Sequence, residues 1–347
     1  MHLSDFDYEL PAERIAQTPI APRDAARLLV DRGSAPPDHR HVRDLPALLL
    51  PGDLLVVNET KVIPARLALR RRSGGAAEVL MLEPLDGERR TWEALVRPAR
   101  KLKAGELLVG ADGAPVVQIG ARTEAGDTFR VHLVGATDSL ALLDTHGEMP
   151  LPPYITERLG DPNRYQTVYA NQPGSAAAPT AGLHFTPELL DRLAGLGVGQ
   201  AKVELVVGLD TFRPIGTDDP LEHRMHTERY RVPAATMDAV AATRAAGGRV
   251  VAVGTTSVRA LESAATRGEL DGRTDIFIHR GYEWKLVDLL MTNFHLPRTT
   301  LLMMIDAFVG PRWRRLYEVA LAGDYRFLSF GDAMLLSREA GALGSGS

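Results

Sequence analysis

Between residues 62 and 149 the helical periodicity seen in the rest of the chain disappears, and no other feature constrains the architecture as much. Short β-prone runs replace it at residues 78–82, 92–96, 106–109, 115–119 and 128–134, separated by Gly- and Asp-rich turns. Strands at this spacing predict a small barrel or sandwich. The chain then returns through Pro150, Pro152 and Pro153, and each proline fixes its own φ and restrains the residue before it. On either side of the interruption, strands and helices alternate. The reading is an α/β main domain from residues 1–61 and 150–343, an inserted all-β unit at 62–149, and a flexible Gly-Ser tail at 344–347.

Composition narrows the function classes. A chain of 347 residues with 45% hydrophobic and 24% charged residues suits two ordinary globular domains. No apolar run approaches the ~20 residues that span a bilayer, and the polar, acidic start Met1–Asp5 does not read as a secretory signal, so a cytoplasmic protein without membrane contact is expected. With no cysteine, disulfides, thiolate metal sites, iron–sulfur clusters and thiol nucleophiles are excluded. A net charge of −4 argues against a uniformly basic coat but leaves room for a local basic face. Arg70, Arg71 and Arg72, with Arg97, Arg100, Lys101 and Lys103, concentrate such a face in the inserted unit. A further cluster lies at Arg312, Arg314 and Arg315. No heptad run or long apolar edge advertises an interface, so a monomer is expected.

Candidate chemistry gathers at strand ends and helix starts. Ala178–Thr186 is a polar loop feeding a helix, with Thr186 as N-cap, Pro187 as first helical residue, and Leu189, Leu190, Leu193 and Leu196 as the buried stripe. Asp53–Val57 reads as a buried strand delivering Asn58-Glu59-Thr60-Lys61 at its carboxyl end. Arg249–Val253 reads as a strand, and Gly254-Thr255-Thr256-Ser257 turns it into a helix at Val258–Thr266 able to seat an anion, with Arg259 as a clamp. A strand is expected at Thr274–Ile278, and Tyr165–Ala170 reads as a strand or extended loop. His223, His226 and Glu228 have ligand-type side chains, but no amphipathic helix carries them. An acid–base or substrate-binding set is expected there rather than a metal.

Eight segments together resemble one family. They are N-E-T-K-V-I-P-A-R-L at 58–67, P-L-P-P-Y-I at 150–155, Y-Q-T-V-Y-A at 165–170 and A-P-T-A-G-L-H-F-T at 178–186. M-H-T-E at 225–228, V-G-T-T-S-V-R at 253–259, T-N-F-H-L-P at 292–297 and G-D-A-M-L at 331–335 follow in order. In these the chain resembles the S-adenosylmethionine:tRNA ribosyltransferase-isomerases of queuosine biosynthesis. It departs from that pattern at Glu59, Asp210, Arg280 and Phe330.

The resemblance implies a mixed-sheet α/β domain with an inserted barrel-like domain. It implies transfer and isomerisation of the ribosyl moiety of S-adenosylmethionine onto 7-aminomethyl-7-deazaguanine at the tRNA wobble position, giving epoxyqueuosine-tRNA with release of adenine and methionine. S-adenosylmethionine is then a consumed co-substrate, and no cofactor or metal is expected. Such chemistry needs an acid and a base, for which His184, His226, Glu228 and His295 are the candidates. Thr180, Thr255, Thr256, Asn293, Arg259 and Asp332 suit hydroxyls and a carboxylate, and Phe185 and Phe294 suit stacking. The basic residues of the insert suit phosphates of the anticodon arm, whose wobble base must be splayed out to be reached.

Overall fold

Runs such as Leu54–Asn58, Val250–Val253 and Leu289–Asn293 are buried at every position. A strand with one wet face would alternate apolar and polar residues, so these strands must be covered on both faces. The computed structural model describes residues 1–123, 126–135, 138–208, 215, 219–223, 225 and 227–338. In chain order the first strands are β1 (Arg27–Val30), β2 (Asp38–His41), β3 (Leu54–Asn58) and β4 (Thr60–Val62). The insert holds β5 (Arg66–Arg71), β6 (Ala76–Pro84), β7 (Thr91–Arg97), β8 (Leu107–Val109), β9 (Pro115–Arg122), β10 (Phe129–Leu133), helix α1 (Ser139–His146) and β11 (Gly147–Glu148). Then come β12 (Gln172–Ser175), α2 (Pro187–Gly195), β13 (Gly199–Leu205), β14 (Glu228–Arg231), α3 (Ala234–Ala245), β15 (Val250–Val253) and α4 (Gly254–Arg267). The chain closes with β16 (Asp271–Thr274), β17 (Leu289–Asn293), α5 (Thr300–Val309), α6 (Arg312–Ala322) and β18 (Ala333–Ser337).

Among the described residues a nine-stranded mixed sheet runs in the order β16-β14-β13-β3-β15-β17-β18-β1-β2. Its centre, β13-β3-β15-β17, is parallel, and β18 meets β17 antiparallel. The period of two divides the central strands between two cores. Leu54, Val56, Val250, Ala252 and Leu290 face α4, α5 and α6, whereas Leu55, Val57, Val251, Val253, Leu289 and Met291 face α2 and the 3₁₀ turn Val42–Ala47. The insert forms a second, antiparallel sheet, β5-β6-β7-β10-β9-β8, which closes through β5–β8 pairing into a six-stranded barrel, with β11 appended to β5. Trp92, Val79, Val117 and Val131 fill its interior. The architecture is therefore an α/β domain with a barrel inserted into it. A groove of about 2110 Å³ separates the outer face of β5–β7 from residues 149–162. No helix among the described residues is long and apolar enough to cross a membrane.

The structure departs from the sequence reading in several places. The strand expected at Thr274–Ile278 instead ends at Thr274. The Thr274 hydroxyl takes the amide of Ile276 (3.1 Å) and lies 2.5 Å from Ser263 Oγ, so a local side-chain bond turns the chain out of the ladder. The helix expected from Val258 starts four residues earlier, at Gly254. Of the two forms open to residues 165–170, strand or extended loop, the chain takes a loop, entered through a 3₁₀ turn, Pro162–Tyr165, capped by Asp161. Helix α1 went unforeseen inside the β-rich insert, where the Asp138 carboxylate caps it by accepting the amides of Leu140 and Ala141.

One buried carboxylate holds α4 against the segment that precedes β17. Glu262 is fully buried and accepts from the amides of Lys285, Leu286 and Val287 at 3.0, 3.0 and 3.1 Å and from the Tyr282 hydroxyl at 3.0 Å. Glu262→Ala leaves those amides buried without acceptors and is expected to lower stability by roughly 3 kcal/mol, with Glu262→Gln intermediate. Urea unfolding reads this, and a loss within ~0.5 kcal/mol of a neutral surface substitution would refute it.

Candidate active site

Strands β3, β15 and β17 are parallel and end side by side, so the polar groups following them share one edge of the sheet. This is the edge at which open α/β sheets take ligands. At the end of β15, Gly254 adopts φ +84°, a left-handed conformation open to a residue without Cβ, and the chain enters α4 with no connecting loop. Thr255 and Thr256 consequently occupy the first helical turn, where backbone N–H groups lack intrahelical acceptors. That turn forms one wall of a cleft enclosing about 600 Å³. Thr180, Asn293, His295 and Ser329 are among the other polar residues that line it. The Thr256 hydroxyl is buried and has no hydrogen-bond partner among the described residues.

Asn293, the last residue of β17, organises the floor. Its Oδ1 accepts from Thr180 Oγ1 at 3.0 Å. Its Nδ2 lies 3.2 Å from His184 Nε2 and 3.3 Å from the Asp332 carbonyl oxygen. With the amide oriented this way, His184 Nε2 is the acceptor and its proton sits on Nδ1. Burial lowers the His184 pKa to about 3, helped by the positive charges of Arg326 and Arg23. Gly182 is required in the turn holding Thr180 and His184, because a Cβ there would fall 2.0 Å from the Tyr169 hydroxyl.

His295 stands on the adjacent wall, its Nε2 2.9 Å from Thr292 Oγ1. Its backbone is held from both sides: its N–H donates to the Tyr317 hydroxyl at 3.0 Å, and its carbonyl accepts from the Tyr8 hydroxyl. Burial lowers the His295 pKa to about 3 as well. Both imidazoles are therefore neutral at physiological pH and do not repel a cationic ligand.

Glu228 and Arg259 form an adjoining hollow of about 470 Å³ that shares Leu301 with the cleft. The sequence reading treats them as separate tools, an acid or base and a clamp. The structure pairs them: Arg259 Nη1 donates to Glu228 Oε2, and Glu228 Oε1 accepts from the Gly208 amide at 3.2 Å. Arg259 nonetheless keeps Nε and Nη2 buried without hydrogen-bond partners among the described residues.

Other expected site residues lie elsewhere. Phe185 is buried in the core beneath α2 with its ring edge-on to Tyr169, and it does not line the cleft. Phe294 lines the cleft, but its ring packs with Phe327, Tyr317 and Tyr325. Asp332 turns its carboxylate away, accepting from the amides of Arg27 and Arg326, each at 2.8 Å, so its role is to clamp loops around β18. His226 and Asp210 lie outside the described residues. Among the described residues no three His, Asp or Glu side chains gather as a metal set.

Most basic residues of the insert collect where β5 ends and β8 begins, at the barrel end remote from the joint with the main domain, whereas Arg97, 4.0 Å from Glu78, lines the groove that faces residues 149–162. Arg71 is committed to Glu106 at 2.6 Å, with Nη2 on the Lys101 carbonyl at 3.1 Å. Arg70, Arg72, Arg97, Arg100, Lys101 and Lys103 are exposed. Sequence reasoning missed Tyr8, Tyr317 and the Tyr154–Ser329 pair (2.7 Å) at the cleft wall. None of these carries a local signal, because each reaches the site from a distant segment.

Comparison with known proteins bears on this site. The family model described as "Queuosine biosynthesis protein" matches residues 3–336. The chain is 53% identical to an S-adenosylmethionine:tRNA ribosyltransferase-isomerase of Symbiobacterium thermophilum, over 97% of this chain and all of that one. It is 52% identical to the protein of the same name from Moorella thermoacetica, again over 97% of this chain and all of the relative. The crystal structure of an S-adenosylmethionine tRNA ribosyltransferase from Thermotoga maritima is similar with a TM-score of 0.55 and 40% identity, covering 96% of this chain and 99% of that one.

The two neutral histidines predict how stability depends on pH. Each folded-state pKa, about 3, lies below the ordinary 6.5, so the unfolded chain binds more protons between those values. Their contribution is complete above about pH 6.5 and is lost as pH falls towards 3. At pH 5 the loss is expected to be roughly 1–2 kcal/mol for His184, and less for His295, which is partly open to the cleft. Unfolding free energies of wild type and His184→Asn between pH 7 and 4 check this. Parallel pH curves for the two proteins would refute it.

Proposed function

This chain belongs to the queuosine biosynthesis protein family, and from that premise we propose that it is an S-adenosylmethionine:tRNA ribosyltransferase-isomerase. The reaction is transfer of the ribosyl moiety of S-adenosylmethionine to the aminomethyl group of 7-aminomethyl-7-deazaguanine at the tRNA wobble position. The ribosyl unit is rearranged to an epoxycyclopentane, adenine and methionine leave, and S-adenosylmethionine is consumed without a further cofactor. The observation that carries the reading is the convergence of a neutral histidine, an orphaned hydroxyl and a helix N-terminus on one cleft of about 600 Å³.

The sulfonium acidifies the neighbouring 5′ methylene, and a neutral imidazole is the form that accepts a proton. We assign this base to His295. With Nε2–H donated to Thr292, Nδ1 keeps its lone pair, while Tyr8 and Tyr317 hold the backbone so that the ring stays in place. The protonated ring then supplies the proton that departing adenine needs. The amides and hydroxyls at the start of α4 take ribose hydroxyls, and the unpartnered N–H groups of Arg259 take the methionine carboxylate. His184 acts through Asn293, holding the amide that orients Thr180. The exposed cations at the barrel end, on the order of 20 Å along the strands from the joint, suit phosphates of the tRNA stem.

The test is incubation with S-adenosylmethionine and an anticodon stem-loop carrying the aminomethyl-deazaguanine, read by RNA mass and adenine release. A ribosyl-derived mass gain with stoichiometric adenine is expected, and RNA binding without adenine release would overturn the assignment. Thr256→Val deletes a hydroxyl that has no partner among the described residues. It is expected to raise KM for S-adenosylmethionine roughly five- to tenfold with unchanged melting temperature. An unchanged KM would remove Thr256 from the site.

A further inference from the structure

Two arginines line a pocket with His184, and a third bears on it through its charge. Arg23 and Arg164 line a pocket of about 240 Å³ together with Pro19, Ile20, His184 and Ser329. Arg326 acts on His184 with its charge, as Arg23 does. All three are held by neutral acceptors. Arg23 donates to the carbonyls of Gln166 (2.7 Å), Leu183 (3.2 Å) and Asn163 (2.8 Å), Arg164 to that of Ile20, and Arg326 to that of Thr18 (3.2 Å). Among the described residues none of them forms an ion pair with a carboxylate. The acidic group that acts on Arg23, Asp161, is exposed and accepts from the Asn163 amide at 2.9 Å. Two buried N–H-bearing atoms, Arg164 Nε and Arg326 Nη2, have no hydrogen-bond partner among the described residues.

Holding like charges together without a counter-ion costs stability, and the guanidinium of Arg23 already shows it, its pKa lowered by burial and by Arg164. A fold carries such a cluster when an anion completes it. The pocket is open to solvent and too small to enclose a nucleoside, so an anionic group would meet it with an oxygen at its mouth. Its position is informative too: Ser329 lines both this pocket and the cleft, and the His184–Asn293 pair is the wall between them.

We propose that Arg23, Arg164 and Arg326 form an oxyanion subsite that takes a backbone phosphodiester adjoining the nucleotide held in the cleft. This rests on the tRNA reading above. The subsite grips the strand next to the splayed nucleotide and so fixes which base enters. The remote cations of the barrel cannot do this from their distance.

The test uses the full chain and the same anticodon stem-loop, with native linkages or with one neutral methylphosphonate on either side of the modified nucleotide. Arg164→Gln is expected to weaken binding of the native RNA about tenfold and to reduce the slope of log Kd against log salt by about one. Wild type is expected to lose about tenfold on methylphosphonate substitution at one flanking linkage, and Arg164→Gln to be indifferent to it. Its affinity for S-adenosylmethionine stays within about twofold of wild type. Arg326→Gln carries the same test should Arg164→Gln fail to fold. Variants that keep the wild-type salt slope and methylphosphonate sensitivity, while wild type releases adenine normally, overturn the subsite alone. A loss confined to S-adenosylmethionine assigns the arginines to the methionine carboxylate and also overturns it. A wild type that neither binds the RNA nor releases adenine removes the functional reading, and the subsite with it.

Discussion

One primary amide joins the parts of the site. Asn293 ends a buried central strand, and its side chain meets Thr180, His184 and the Asp332 carbonyl. These groups come from two segments far from Asn293 and from each other in sequence. Because a buried amide left unpaired is costly, each bond restrains the segment that supplies it. The register fixes the geometry further: Asn293 pairs with Ala333 across β17 and β18, which sets the Asp332 carbonyl beside the amide. Shifting that pairing by one residue would turn Asn293 to the opposite face and dissolve the floor of the cleft.

Around that floor, polar groups fall into two kinds. Some are saturated and serve the framework. Glu262 accepts from three amides and a hydroxyl, and Asp306 accepts from Arg280 at 2.8 and 3.1 Å and from Trp313 Nε1 at 3.1 Å. Others are buried yet incomplete. The Thr256 hydroxyl borders the cleft, and two nitrogens of Arg259 and one of Arg164 border its neighbouring hollows. Native proteins satisfy nearly all buried polar groups, so a cluster of incomplete ones marks where a ligand supplies the missing partner. The two histidines belong to the same setting, since burial keeps both imidazoles uncharged.

The barrel is tied to the main domain without sharing its core. Its interior residues form their own cluster, and the connections run through β4–β12 pairing, the proline-rich return and a bidentate bridge from Arg273 to Glu83 at 2.7 and 2.9 Å. Catalytic geometry therefore depends on the main domain, while the barrel carries exposed cations outward. Such a division suits a large polyanion whose reacting base is at one place and whose phosphates are spread over many.

The amino-acid sequence by itself determined the loss of helical period that marks the insert, the N-cap of α2 with its buried Leu189 and Leu193 (Leu196, expected in the same buried stripe, is instead an exposed C-cap), the Gly-Thr-Thr turn after β15, and the motif order shared with the family. Those features are local, written within a dozen residues by periodicity, capping and turn chemistry. Tertiary structure alone decided that Glu228 and Arg259 pair with each other, that Phe185 belongs to the core, that Asp332 clamps backbone, and that Arg23 and Arg164 line a pocket with His184, on which Arg326 bears through its charge. It also decided that Thr274 turns its chain with its own hydroxyl. These outcomes depend on strand order and register, which bring together residues up to some three hundred positions apart. A single sequence carries no local signal for such meetings, because they are set by the packing of whole layers rather than by neighbours along the chain.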